Sequence, residues 1–322
     1  MIQIKHDLLR DLDKINHEHC ELIKHEVLSK VNRLKKRQAE FIVLHIDGLL
    51  KSKPAELFRL WKDYKNHCTA KGRSALNNYN AGLLQVFNYK KFTKKSLTNY
   101  CGYTLSRKLN VKTCPYCNRN YTVTIEKGGE QIVRPDFDHF FPKSQYPLLA
   151  LSFYNLIPSC LICNRSIKGK KKIVYGKYIH PYEEEFGGTL KINYRPLDSD
   201  SALGIKDNYE IVVILDTSNP NKSARCEKSF QLFRLKDLYE ESHNAEIADI
   251  IYKHHVSNGR YLENIRNMFP KLATIDELYK LAFGNYYNLT EHSKRPLSKL
   301  TLDIVEQLTF TNPFAPIKSN SP

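Results

Sequence analysis

The feature that most constrains this chain is a pair of Cys-x-x-Cys motifs. Cys114-Pro115-Tyr116-Cys117 and Cys160-Leu161-Ile162-Cys163 lie about forty residues apart. Four thiolates in two such pairs form the ligand set of one tetrahedral Zn²⁺. A zinc held that way has no open position, so it staples loops and does no chemistry itself. The other four cysteines, Cys20, Cys68, Cys101 and Cys226, are scattered and read as small buried hydrophobes. The leading segment MIQIKHDLLRDLDK alternates charge with aliphatics and offers no apolar signal-peptide core. No stretch approaches the ~20 apolar residues needed to span a bilayer. The expectation is a cytoplasmic chain without a membrane partner, in which paired cysteines mean metal rather than disulfides.

The net charge of +16 is unevenly placed. Residues 1–110 carry 22 basic and 10 acidic side chains, and residues 111–172 carry 10 and 4, whereas residues 173–322 are slightly acidic. A basic excess concentrated in the first half is the footprint of a polyanion binder, nucleic acid above all. With 41% hydrophobic residues the chain has enough apolar surface for a core, which excludes a collagenous or disordered protein.

Periodicity divides the chain into three regions of an α+β protein. Residues 1–105 form a basic helical region. Leu8, Leu9, Leu12 and Ile15 recur at helical spacing, and Lys53-Pro54 marks a helix start. Between Asn88 and Tyr100, Lys90, Lys91, Lys94 and Lys95 interleave with Tyr89 and Phe92. This pattern suits either a nucleic-acid surface or a helix with an aromatic core face. Residues 106–180 are turn-rich, with Gly128-Gly129 joining two short β-like runs. Residues 181–322 are mixed and mainly helical, with a strand over Tyr209–Leu215, a helix over Leu297–Leu308 and a frayed tail over Pro313–Pro322.

The segment between the cysteine pairs carries more than a structural ribbon needs. Asp138-His139 follows an extended run, and Asn164 follows the last cysteine. If Cys160 opens a helix, Asn164 can face the strand that bears Asp138, with Lys168 one turn on. A carboxylate plus an amide oxygen makes half a site for Mg²⁺, and a neighbouring imidazole can take a proton from water. Asp136 is either a supporting partner or a solvated strand residue. Lys170, Lys171 and Lys172 are either phosphate contacts or a solvated run.

The order Cys-x-x-Cys, Asp-His, Asn, Cys-x-x-Cys-Asn, Lys over residues 110–172 resembles the HNH endonucleases of the His-Me finger (ββα-metal) superfamily. The texture HFFPKSQYPLLALSFYNLIPSC is similar to HNH subunits of Septu-type and retron-associated anti-phage systems. The resemblance implies a ββα-metal core and a nucleic-acid substrate, DNA rather than RNA. His139 would be the general base, and Asn155 would hold the loop that orients it. Asp138 and Asn164 would hold a catalytic Mg²⁺ or Mn²⁺, and Cys114, Cys117, Cys160 and Cys163 the structural Zn²⁺. Lys143, Lys168, Lys170 and Lys171 would approach phosphates. It also implies a defence effector, with an ABC-type ATPase as a partner protein. The alternatives are a free-standing restriction-like nuclease and a non-catalytic zinc ribbon that binds nucleic acid.

Overall fold

The computed structural model describes residues 1–6, 10–68, 80, 82–171, 173–271 and 274–308. Leu8, Leu9, Lys172 and the Pro313–Pro322 tail lie outside the described residues. Over the described residues the chain is α+β, helical for the most part, with three two-stranded antiparallel sheets. Among the described residues no helix is long and apolar enough to cross a membrane.

One compact unit comprises Gln3–Pro115 and Thr122–Glu184. Its first layer is helical: α1 (Leu12–Leu28), α2 (Lys36–Lys51) and α3 (Pro54–Cys68). Asp11 caps α1 by accepting from the Lys14 N–H, and α3 opens on Pro54, where a missing N–H costs nothing. Their apolar faces, including Ile15, Ile23, Ile42, Leu49, Leu57 and Trp61, are buried. Two short helices follow, α4 (Leu83–Val86) and α5 (Tyr89–Phe92), and then α6 (Gly102–Leu109), which packs on α1. Of the aromatics in the lysine-rich run, Phe87 and Phe92 are core residues.

The second layer of this unit holds the turn-rich segment. β1 (Ile125–Lys127) and β2 (Glu130–Val133) pair through Gly128-Gly129, both at positive φ as a tight hairpin turn requires. The run before Ile125 stays outside the strand. β3 (Asp136–His139) pairs with β4 (Leu156–Ser159), with Asp138 opposite Ile157 and His139 opposite Leu156. The helical layer grips the loop between these strands. Ser152 Oγ donates to the Leu49 carbonyl, His19 Nε2 meets the Leu151 carbonyl at 2.7 Å, and Phe58 stacks on Phe141. The boundary expected at residues 105/106 therefore falls inside one unit, because the helices bury the same loop that the strands need.

The other unit comprises Met1–Ile2, Tyr116–Tyr121 and, among the described residues, 185–308. β5 (Leu190–Pro196) and β6 (Tyr209–Leu215) pair over seven residues, with α7 (Ser199–Ala202) in the connection. Helices α8 (Pro220–Leu232), α9 (Leu235–Glu240), α10 (Asn244–Val256), α11 (Tyr261–Met268), α12 (Ile275–Phe283) and α13 (Ser298–Leu308) follow. A two-stranded sheet leaves backbone groups open at its edges. Here α13 closes one edge. Asp303 accepts from the Ile192 N–H, and Gln307 bonds both the N–H and the carbonyl of Tyr194. Asn118 is fully enclosed in the same unit, bonded to the His292 and Arg295 carbonyls and to the Lys299 N–H.

Candidate active site and metal centre

The Sγ atoms of Cys114, Cys117, Cys160 and Cys163 all lie within 4.8 Å of one another, and all four residues are buried. None is in a disulfide. Zn–S bonds of about 2.3 Å in a tetrahedron put sulfurs about 3.8 Å apart, so the cluster fits a single tetrahedral ion. Backbone N–H groups already point at two of the sulfurs: Arg119 at Cys117 Sγ (3.4 Å) and Cys163 at Cys160 Sγ (3.5 Å). Such donors favour the thiolate form that a metal takes.

The helix after Cys160 is wider than an α-helix. Ile162–Lys168 is a π-helix, in which Gly169 N–H closes on the Asn164 carbonyl, and Gly169 ends it at positive φ. It runs beside β3, so that Asn164 reaches Asp136 and Lys168 reaches Asp138. Asn164 Nδ2 donates to Asp136 Oδ2 at 3.0 Å, and Lys168 Nζ donates to Asp138 Oδ1 at 2.8 Å and to the His139 carbonyl at 2.6 Å. Arg165 forks onto both Asp136 oxygens, at 2.6 and 3.0 Å, which holds the guanidinium above its usual pKa.

Two expected placements differ in detail. Asn164 meets Asp136 rather than Asp138, which gives Asp136 the supporting position left open from sequence. With its NH₂ committed to a carboxylate, Asn164 offers a cation only its oxygen. Lys168 is 1% exposed and its ammonium grips the Asp138–His139 dipeptide, whereas the sequence pointed it at phosphate. The physical reason is burial: an ammonium held away from water stays where a carboxylate and a carbonyl satisfy it.

His139 is fixed by the loop it precedes. Its Nε2 lies 2.9 Å from the Ala150 carbonyl. A carbonyl only accepts, so Nε2 carries the proton and Nδ1 keeps the lone pair. Asn155, completely buried, laces this loop together. Its Oδ1 accepts from the Phe141 N–H at 2.7 Å, and its Nδ2 donates to the carbonyls of Phe141 and Leu149. Burial first, and then the Lys143 charge, push the imidazole down to about 3, so it is neutral at pH 7.

These groups border an open cavity of about 440 Å³, lined by Asp136, Asp138, His139, Asn164 and Lys168 and rimmed by Lys143, Lys170, Arg134 and Arg165. Lys170 and Lys171 are exposed. The His180-Pro181-Tyr182 segment is absent from the lining and buried. Arg165 and Tyr89 are among the lining residues that sequence reasoning did not assign to the site. Arg165 directly follows Asn164, so its place was implicit in the helix. Tyr89 sits in the lysine-rich run fifty residues upstream of His139, and its arrival here is a tertiary event. No protein-family model, curated protein or solved structure matches this chain.

Proposed function

We propose that this protein is a metal-dependent HNH-type endonuclease that hydrolyses phosphodiester bonds in nucleic acid, with DNA favoured over RNA. The observation that carries the reading is the state of His139. It is a neutral imidazole on the cavity wall, with its proton fixed on Nε2 by Ala150 and its lone pair on Nδ1. A general base must be unprotonated and keep a free lone pair, which this tautomer leaves on Nδ1; burial lowers its basicity, and a pKa nearer the working pH would serve catalysis better. His139 would take the proton of the attacking water. Asn155 would keep the loop that sets the tautomer. Lys143, Lys170 and Arg165 at the rim would receive phosphates, and the basic first half of the chain would add backbone contacts that weaken with salt.

A divalent ion, Mg²⁺ or Mn²⁺, would be held by Asp138 and Asn164 and would supply charge stabilisation at the scissile phosphate. The four-cysteine centre would hold Zn²⁺ and brace the helix that bears Asn164. The biological setting we propose is anti-phage defence, in the cytoplasm. A second reading keeps the chemistry and adds control by a partner protein, such as an ABC-type ATPase. It is favoured by the ammonium of Lys168, which already occupies Asp138.

Nicking of supercoiled plasmid at low salt, with Mg²⁺, Mn²⁺ or EDTA, tests the proposal. Metal-dependent nicking is expected for the wild type. His139→Ala should keep DNA binding and lose ~10²–10⁴-fold in rate. Equal cutting by both proteins would exclude His139 as the base.

A further inference from the structure

Tyr89 enters the cavity from α5, outside the β3–β4–helix core. Its ring meets the His139 ring edge-on, with centroids 4.3 Å apart and planes at 74°. Its hydroxyl donates to the Phe137 carbonyl at 3.1 Å, which ties the ring to β3 two residues before His139. The Lys143 ammonium lies 5.1 Å from the Tyr89 ring centroid. Helix α5 is itself held. Asn88 caps it through the Lys91 N–H, and Phe92 is buried beside His19 and Phe137.

The His139 ring has a single hydrogen bond, from Nε2 to Ala150. One such bond fixes a nitrogen but lets the ring rock about the bond axis. A base must keep its lone pair on the attacking water, and a displacement of 1 Å can cost on the order of 10²-fold in rate. Something has to stop the rocking, and the edge-on aromatic contact is placed to do so.

We infer that Tyr89 is a positioning residue for His139: its ring walls the imidazole, its hydroxyl anchors that wall to β3, and the N-terminal helical region thereby completes the catalytic site. The inference rests on the endonuclease reading for its catalytic consequence, but the positioning can be read without cleavage.

The test uses the full-length, zinc-loaded protein as wild type, Tyr89→Phe and Tyr89→Leu, labelled with ¹⁵N-histidine, and His139→Ala assigns the signals. In the wild type the His139 ring nitrogens should show a single Nε2–H tautomer. Tyr89→Phe should broaden these signals and lower kcat about fivefold, the worth of one neutral hydrogen bond. Tyr89→Leu should broaden these signals further, with the Nε2–H tautomer kept by Ala150, and lower kcat on the order of tenfold or more at unchanged KM. Unchanged His139 signals together with wild-type kcat in both variants would overturn the inference. If Tyr89→Leu does not fold, Tyr89→Phe decides by the same signals. A wild type that cuts nothing, yet whose His139 signals respond to Tyr89, would overturn the nuclease reading and leave the positioning intact.

Discussion

Lys168 carries its charge at 1% exposure, and Asp138 beside it is 2% exposed. A buried pair of this kind is costly to break from one side, because the remaining charge has neither water nor partner. Lys168→Met should destabilise the protein by about 3–5 kcal/mol, measured by urea denaturation. Pairing it with Asp138→Asn should recover much of that loss, since no isolated charge is then left. A Lys168→Met variant as stable as the wild type would show that the ammonium is not needed where it sits. At this scale the sequence was informative where roles are local. Asp138 and His139 are neighbours, and Asn164 abuts Cys163 of the cysteine cluster, so spacing alone grouped them. It failed for Lys168, because whether a lysine meets phosphate or carboxylate depends on how deeply its stem is buried.

The elements gain their meaning in pairs. The π-helix Ile162–Lys168 is too short to stand alone, since isolated helices under ~12 residues are marginal. Two things hold it: the β3 carboxylates along its side, and the cysteine cluster at its start, which takes Cys160 from just before the helix and Cys163 from its first turn. Removing the metal should therefore loosen the helix that bears Asn164 and Lys168. About one zinc per chain should survive dialysis. Cys114→Ala should lower zinc content, thermal stability and solubility together. Zinc loss with an unchanged melting transition would argue that the cluster is not a staple. The strand Tyr209–Leu215 and the helix start at Pro54 could be read from the sequence, and the extended run expected over residues 134–137 overlaps the strand Asp136–His139. The π character could not be read, because residue spacing over seven residues does not separate a π-helix from an α-helix.

For the whole molecule, three further buried histidines report on acid sensitivity. Burial pushes His19 to about 4, His180 to about 3 and His292 to about 4. Their unfolded values are near 6.5. Below that pH the unfolded chain takes up protons that the folded chain refuses, so stability falls as pH drops from about 6.5 toward 3–4. Each neutral histidine adds about 1.4 kcal/mol per pH unit to that slope once the unfolded form is fully protonated. His180 packs its ring 4.1 Å from Phe140 and accepts from the Tyr182 N–H at 3.3 Å. His180→Phe should make the fall of urea midpoint between pH 6 and 4.5 shallower, while costing about 1–3 kcal/mol at pH 7.5 for the donor left without its partner. An unchanged slope would mean that His180 is not neutral in the folded chain.

The amino-acid sequence by itself determined the α+β class, the four-cysteine cluster and the basic first half, and it set Asp138, His139 and Asn164 beside that cluster, while Asn155 entered only through the family resemblance. Those follow from residue identity and near-neighbour spacing, which survive in one dimension. The tertiary structure decided the rest: that Asp136 serves Asn164, that Lys168 is spent on Asp138, and that Tyr89 borders His139. It also decided that the helices of residues 12–68 belong with the strands of the site rather than beside them. Each of these depends on which surfaces exclude water from one another, and burial is a property of the packed chain, not of any segment of it.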